Sequence, residues 1–278
     1  MPRWLDELGT RALERGGFRL RSFNYRGSPV YFVDNGERCA SDAPVMAVFP
    51  GFGDTIFSWT RFLLRYGRTH RVLGLDFPGF SGKSPHPPGP TLGFAEEEEV
   101  AELFLRDVAG KVDVLVGNSM GGWIALNLAH RHPDKIAHVV ALNPGGVLTD
   151  EEDGKRIRKI FAIKSYADYI AFMKVLWHRM PLYLYGVAWL GLYQFTQKPL
   201  FQGLLDTLEQ EHFLNDRLKS IETPITVIWG LEDKLFRAKM GRFIAESAPR
   251  GTFHGIERAG HMPHIEAAER VYAIIDAL

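Results

Sequence analysis

One cysteine, Cys39, is all the thiol chemistry the chain carries. A single cysteine forms no intrachain disulfide and builds no zinc site on several thiolates. It suits a reducing compartment, and the expected location is cytoplasmic. Net charge is missing too, because 33 lysines and arginines balance 33 aspartates and glutamates. With no excess of either sign, no field draws the whole molecule to nucleic acid or to an anionic membrane, and no nucleic-acid partner is expected. Long hydrophobic runs are scarce. The longest uncharged stretch, 180–197, is near the lower limit for a membrane span, but Pro181, Gly186 and Gly191 interrupt it, and no stable span is expected. The first residues carry Asp6 and Glu7 where a secretory signal would carry an unbroken apolar core. They read as a short amphipathic helix ending near Gly16-Gly17, through which Trp4, Leu5 and Leu8 could make a shallow, peripheral membrane contact. No internal repeat and no low-complexity linker divides the chain.

What is present is the composition of a protein with a sizeable core, 46% hydrophobic over 278 residues. Phe18 to Tyr25 and Val30 to Asp34 read as a strand pair turning at Arg26-Gly27-Ser28-Pro29. Val45 to Phe49, Val72 to Phe77, Val112 to Val116, Val139 to Leu142 and Ile225 to Trp229 are short and apolar, as strands covered on both faces should be. Helical patterns separate them. The run Glu96-Glu97-Glu98-Glu99 is expected to sit solvated in the first turn of one, where acids favour the dipole. This alternation predicts an α/β fold, a mostly parallel sheet with helices on both faces. It breaks between Val147 and Ser220, so residues 147–220 read as an inserted helical cap between two core segments, 1–146 and 221–278. Thr149 and Glu152 have capping-box spacing at its start. Its aromatic density (Phe161, Tyr166, Tyr169, Phe172, Trp177, Tyr183, Tyr185, Trp189, Tyr193, Phe195 and Phe201) predicts that some of these rings face a ligand cavity and others pack the cap down.

Chemistry gathers at Gly117-Asn118-Ser119-Met120-Gly121. A serine hydroxyl is a weak nucleophile and must be presented on a tightly bent turn where a base can reach it. Here a strand precedes the serine and a helix, Trp123 to Ala129, follows. The two flanking glycines remove side chains that would clash in the bend. Ser119 is therefore the candidate nucleophile. The strand Ile225 to Trp229 leads into an acidic turn offering Glu232 and Asp233, at a strand's carboxyl end where ligand chemistry collects. His261, after the strand Thr252 to Ala259 and before a final helix to Leu278, is the candidate base. His264, three residues on, makes a pair with it but lacks a third ligand at helical spacing, so no metal is expected. His130, His132 and His138 read as surface residues. Acyl transfer also needs two donors aimed at an oxyanion. The Met120 amide is one, and Phe52 of the loop Pro50-Gly51-Phe52-Gly53-Asp54 is chosen for the other. That loop lacks the endings of phosphate and dinucleotide motifs, so no cofactor is expected.

The segments Pro50 to Gly53, Asp76-Phe77-Pro78-Gly79-Phe80-Ser81-Gly82-Lys83-Ser84, Gly117 to Gly122, Trp229 to Asp233 and Gly260 to Glu266 together resemble the α/β-hydrolase superfamily nearly end to end. The resemblance implies Asp233, the second carboxylate of its turn, as the acid of a Ser119–His261–Asp233 triad. Serine at 119, where dehalogenases and epoxide hydrolases need a carboxylate, sets those members aside. Ser119 to Gly122, the cap and the Trp229-Gly230 turn are similar to capped serine esterases and lipases of the monoacylglycerol-lipase kind. Gly117 to Gly122 with Asn143-Pro144-Gly145-Gly146 is also similar to carbon-carbon hydrolases of ring-fission products, which usually carry an aromatic residue where Met262 stands. Pro50 departs from the histidine that members commonly hold there. The implied function is hydrolysis of a small-molecule ester or lipid with an apolar acyl chain. Carbon-carbon hydrolysis is the alternative, and a non-catalytic ligand-binding protein is the alternative of another class, disfavoured because no triad member is missing.

Overall fold

Short runs of branched apolar residues bounded by turn residues become the strands of one sheet. The computed structural model describes residues 3–89, 92–197 and 206–278. Met1, Pro2 and the aromatic Phe201 lie outside the described residues, as do the side chains of Trp4, Leu5, Tyr193 and Phe195. The strands are β1 (Arg19–Tyr25), β2 (Ser28–Asp34), β3 (Val45–Phe49), β4 (Arg71–Leu75), β5 (Val114–Asn118), β6 (Val139–Leu142), β7 (Ile225–Gly230) and β8 (Gly251–Ile256). They form an eight-stranded sheet in the order β1-β2-β4-β3-β5-β6-β7-β8. β1 and β2 make an antiparallel hairpin, β2 joins β4 antiparallel, and every later pairing is parallel. Arg26 and Gly27 both have positive φ (49° and 82°), the backbone that suits a two-residue hairpin turn to the strands' twist. The turn is therefore shorter than the four residues expected, and β2 begins at Ser28.

The helices are α1 (Arg3–Arg15), α2 (Thr60–Tyr66), α3 (Phe94–Phe104), α4 (Met120–Arg131), α5 (Glu151–Phe161), α6 (Tyr166–Leu176), α7 (Leu182–Gln197), α8 (Ala238–Ser247), α9 (Pro263–Glu266) and α10 (Ala268–Ile275). Strand pleating sends alternate side chains to opposite faces. Val48 and Val116 join Leu13, Phe62 and Tyr272 in one core, while Phe49 and Leu115 join Phe104, Ile124 and Ile244 in the other. The final helix is in two pieces because Ala267 between them, at φ −138° and ψ 40°, leaves the helical region. Glu97 corrects the expectation of a solvated acidic run. It is fully buried on α3 with neither oxygen hydrogen-bonded among the described residues, and burial pushes its carboxyl well above the usual range. Its neighbours behave differently, since Glu96 accepts the Gly93 N–H and Glu99 takes the Tyr25 hydroxyl and Arg26.

Between β6 and β7 the described residues hold α5, α6 and α7 and no strand. The cap of α5 sits one residue later than the expected Thr149–Glu152 box. Asp150 accepts the Asp153 N–H at 2.8 Å and is itself held by Arg237 and Lys239, while the Thr149 hydroxyl donates to Asp153. At α6, Ser165 and Asp168 make a reciprocal box. Among the described residues no helix is long and apolar enough to cross a membrane.

Candidate active site

Ser119 is the single residue between β5 and α4. Its φ of 54° and ψ of −117° lie in a region that L-residues seldom enter. The bend is held from three sides. The Ser119 N–H donates to the Leu142 carbonyl at 3.0 Å, and the Ser119 carbonyl accepts from Trp123 and Gly145 at 3.0 and 3.2 Å. A Cβ on Gly121 would overlap the carbonyls of Phe49 and Pro50, and one on Gly117 would overlap the Gly121 carbonyl. The flanking glycines are thus demanded by backbone that passes too close for any side chain.

The turn after β7 separates its two carboxylates. Glu232 accepts the Ala259 N–H at 3.0 Å and so fastens the loop that carries the histidine. Asp233 is buried, and its Oδ2 lies 2.7 Å from His261 Nδ1. The same Oδ2 accepts from Asn143 Nδ2 at 2.7 Å, and Oδ1 accepts the N–H groups of Leu235 and Phe236 at 2.7 and 3.0 Å. Asn143, at a φ of 41°, also accepts the Gly230 N–H at 3.0 Å. It bridges β6 and β7, a role the sequence reading missed, although the signal, an asparagine closing a buried strand, was on view.

His261 is buried, with the edge of the Phe236 ring 5.2 Å away centre to centre. Its N–H donates to the Leu176 carbonyl at the end of α6. Its carbonyl accepts Asn118 Nδ2 at 3.1 Å, and that amide also reaches the Leu142 carbonyl at 2.9 Å. The neighbour of Ser119 therefore ties the elbow to the histidine loop. Among the described residues no hydrogen bond joins the Ser119 hydroxyl to the His261 ring; such bonds often tighten only when substrate binds. His264 stacks on Trp59 with centroids 4.0 Å apart, and burial, with His261 nearby, pushes its imidazole down to about 3. His130, His132 and His138 are half-buried, bonded to Ser220, Glu102 and Thr226.

Ser119, Met120 and Phe52 line one cavity of about 160 Å³. Gly51 lies so near that its Cβ would stand 3.2 Å from that of Ser119, which brings the loop of the second candidate donor to the elbow. The other described lining is apolar apart from one charge, Arg158 on α5. The cap's aromatic residues supply less of it than expected. Of the aromatic residues named for it and described, Phe161 lines the cavity; Phe213, also within 147–220, joins it, against Phe52, Phe94, Trp123 and Phe236 from outside that range. Tyr169, Phe172 and Trp177 are buried, and Tyr166, Tyr183, Tyr185 and Trp189 point to solvent.

A model of the Alpha/beta hydrolase family matches residues 46–274. The 2-hydroxymuconate semialdehyde hydrolase of Pseudomonas putida is 29% identical over 221 residues, which span 76% of this chain and 78% of that protein. Among solved structures, a membrane phospholipase A described as a bacterial virulence factor has a TM-score of 0.79 at 22% identity, covering 99% of this chain and 91% of its own. The 2-hydroxy-6-oxo-6-phenylhexa-2,4-dienoate hydrolase from Rhodococcus sp. strain RHA1 has a TM-score of 0.75 at 15% identity, covering 93% and 97%. At these identities the two structures speak to the fold.

Proposed function

The chain belongs to the alpha/beta hydrolase family, and from that premise we propose that it hydrolyses carboxylic esters with an apolar acyl group through an acyl-enzyme on Ser119. His261 takes the hydroxyl proton as Ser119 attacks and returns it to the leaving alcohol, while Asp233 fixes the imidazole and stabilises its cation. The amides of Phe52 and Met120 receive the oxyanion, and water then releases the acid. In this reading residues 147–220 are the cap over the acyl site, and the protein works in the cytoplasm.

The observation that supports this most is Ser119 on its strained turn, opening onto an apolar cavity of about 160 Å³. An engineered apolar cavity of about 150 Å³ takes benzene, so the expected acyl chain is short to medium. A p-nitrophenyl ester series should peak near hexanoate and fall towards both acetate and dodecanoate. Ser119→Ala should lose on the order of a millionfold in kcat. A flat series, or an active alanine variant, would refute the assignment. A folded protein that Ser119-directed fluorophosphonate leaves unlabelled would instead be a ligand-binding member of the family.

Arg158 favours a second reading. As the one charge on the described cavity wall, it suits an acidic substrate of the kind named for the Pseudomonas relative. Loss of colour from a ring-fission dienoate, with no turnover of esters, would select carbon-carbon hydrolysis.

A further inference from the structure

Helix α7 has no charged residue in sixteen, and its faces are reversed relative to a helix that packs against a core from water. Ala188 and Leu192 pack on the cluster of Ile163, Tyr169 and Phe172, and the Tyr169 ring leaves no room for a side chain at Gly191. Four of the helix's described large residues face outward. Leu182, Tyr185 and Trp189, at i, i+3 and i+7, share a stripe and are 86%, 37% and 59% exposed, with Tyr183 beside them at 69%. A contiguous apolar patch of this kind on a globular protein marks an interaction surface.

The rim of the patch is cationic. Lys174 Nζ lies 5.7 Å from the centre of the Tyr185 ring. Arg179 and Arg258 line a surface hollow of about 450 Å³ with Tyr183 and the exposed Ile265. All three cations are exposed, and among the described residues none makes an ion pair. The acid in the hollow, Glu266, is taken up by the N–H groups of Gly260 and His178 at 2.8 Å each. On α6, Asp168 is engaged by Ser165.

We propose that α7 is a membrane-docking element for an anionic phospholipid surface. Leu182, Tyr183, Tyr185 and Trp189 enter the boundary between headgroups and acyl chains, where aromatic rings with a polar edge are favoured. Lys174, Arg179 and Arg258 meet the lipid phosphates. A second copy of the chain is the poorer occupant, because a twofold contact on this face would bring one cationic rim against another. The surface also adjoins the candidate site, since α6 ends on Leu176, whose carbonyl holds the His261 N–H. The proposal rests on exposure and charge and does not depend on the reaction at Ser119.

The test is flotation of the full-length protein with vesicles of phosphatidylcholine alone or with 30% phosphatidylglycerol. Binding to the anionic vesicles should exceed binding to the neutral ones at least tenfold at low salt. Leu182→Asp and Trp189→Asp should each reduce it at least tenfold, and Arg179→Glu with Arg258→Glu should abolish the preference for anionic lipid. All four positions are exposed, so matched circular dichroism and melting curves are expected. In the wild type, brominated lipid should quench tryptophan emission, and Trp189→Phe should remove that quenching. Ser119→Ala should float like the wild type, which separates this surface from the catalytic reading. Absence of flotation, equal binding by Leu182→Asp, or a lipid-free stoichiometric dimer that Leu182→Asp dissociates would overturn the proposal.

Discussion

Asp233 accepts from two backbone amides, one asparagine and one histidine inside the protein, and that crowd decides which of two adjacent acids faces His261. Glu232 is spent on the Ala259 amide. Such differences between neighbouring residues of like chemistry recur, as Glu97, buried and without a partner among the described residues, shows beside Glu96 and Glu99. His264 carries a measurable consequence of the same kind. Among the described residues its buried ring has no hydrogen-bond partner on either nitrogen, and its folded pKa lies near 3 against about 6.5 unfolded. A histidine kept neutral contributes stability above its unfolded pKa and loses it as pH falls towards the folded one. His264→Phe keeps a ring on Trp59 and removes this titration. Between pH 7 and pH 5 the wild type should lose about 2 kcal/mol more than the variant. Urea denaturation at the two pH values checks this, and equal losses would contradict it.

At the scale of elements, α5 reaches the core through its first turn. Asp150 caps the helix and pairs with Arg237 and Lys239 beside and within α8, and the buried Asp153 takes Arg237 Nε at 2.8 Å. Because Ile157, Arg158 and Phe161 of the same helix line the cavity, the cap residue supports the cavity wall. Asp150→Ala should cost about 1 kcal/mol, the usual value of a lost helix cap, since its ion pairs are largely exposed and add little. Thermal melting gives the cost. Ester selectivity should blur in the same variant, with KM rising for the preferred chain length more than kcat falls.

Across the whole molecule the charges cancel, 33 against 33, so no long-range field steers a neutral substrate. The kcat/KM for a soluble neutral ester should change less than about twofold between 20 and 200 mM salt, whereas attachment through Lys174, Arg179 and Arg258 to anionic vesicles should weaken over that range. Stopped-flow and flotation at matched salt compare the two. The sequence alone was enough for the parallel sheet, the helices between strands, the elbow at Ser119 and the two-acid turn after β7. Each of these is governed by neighbours within a few residues: branched apolar runs, the turn residues that end them, and glycines where backbone crosses backbone. Tertiary structure decided the rest. It set Asp233 and not Glu232 against His261, 28 residues away, and let Asn118 and Asn143 lock three strand ends together. It also drew the cavity wall about equally from residues 147–220 and from the rest of the chain, and turned Leu182, Tyr183, Tyr185 and Trp189 of α7 to solvent. Those outcomes depend on which segments meet across the sheet and on what each buried face must match, and no local pattern of residues encodes such a meeting.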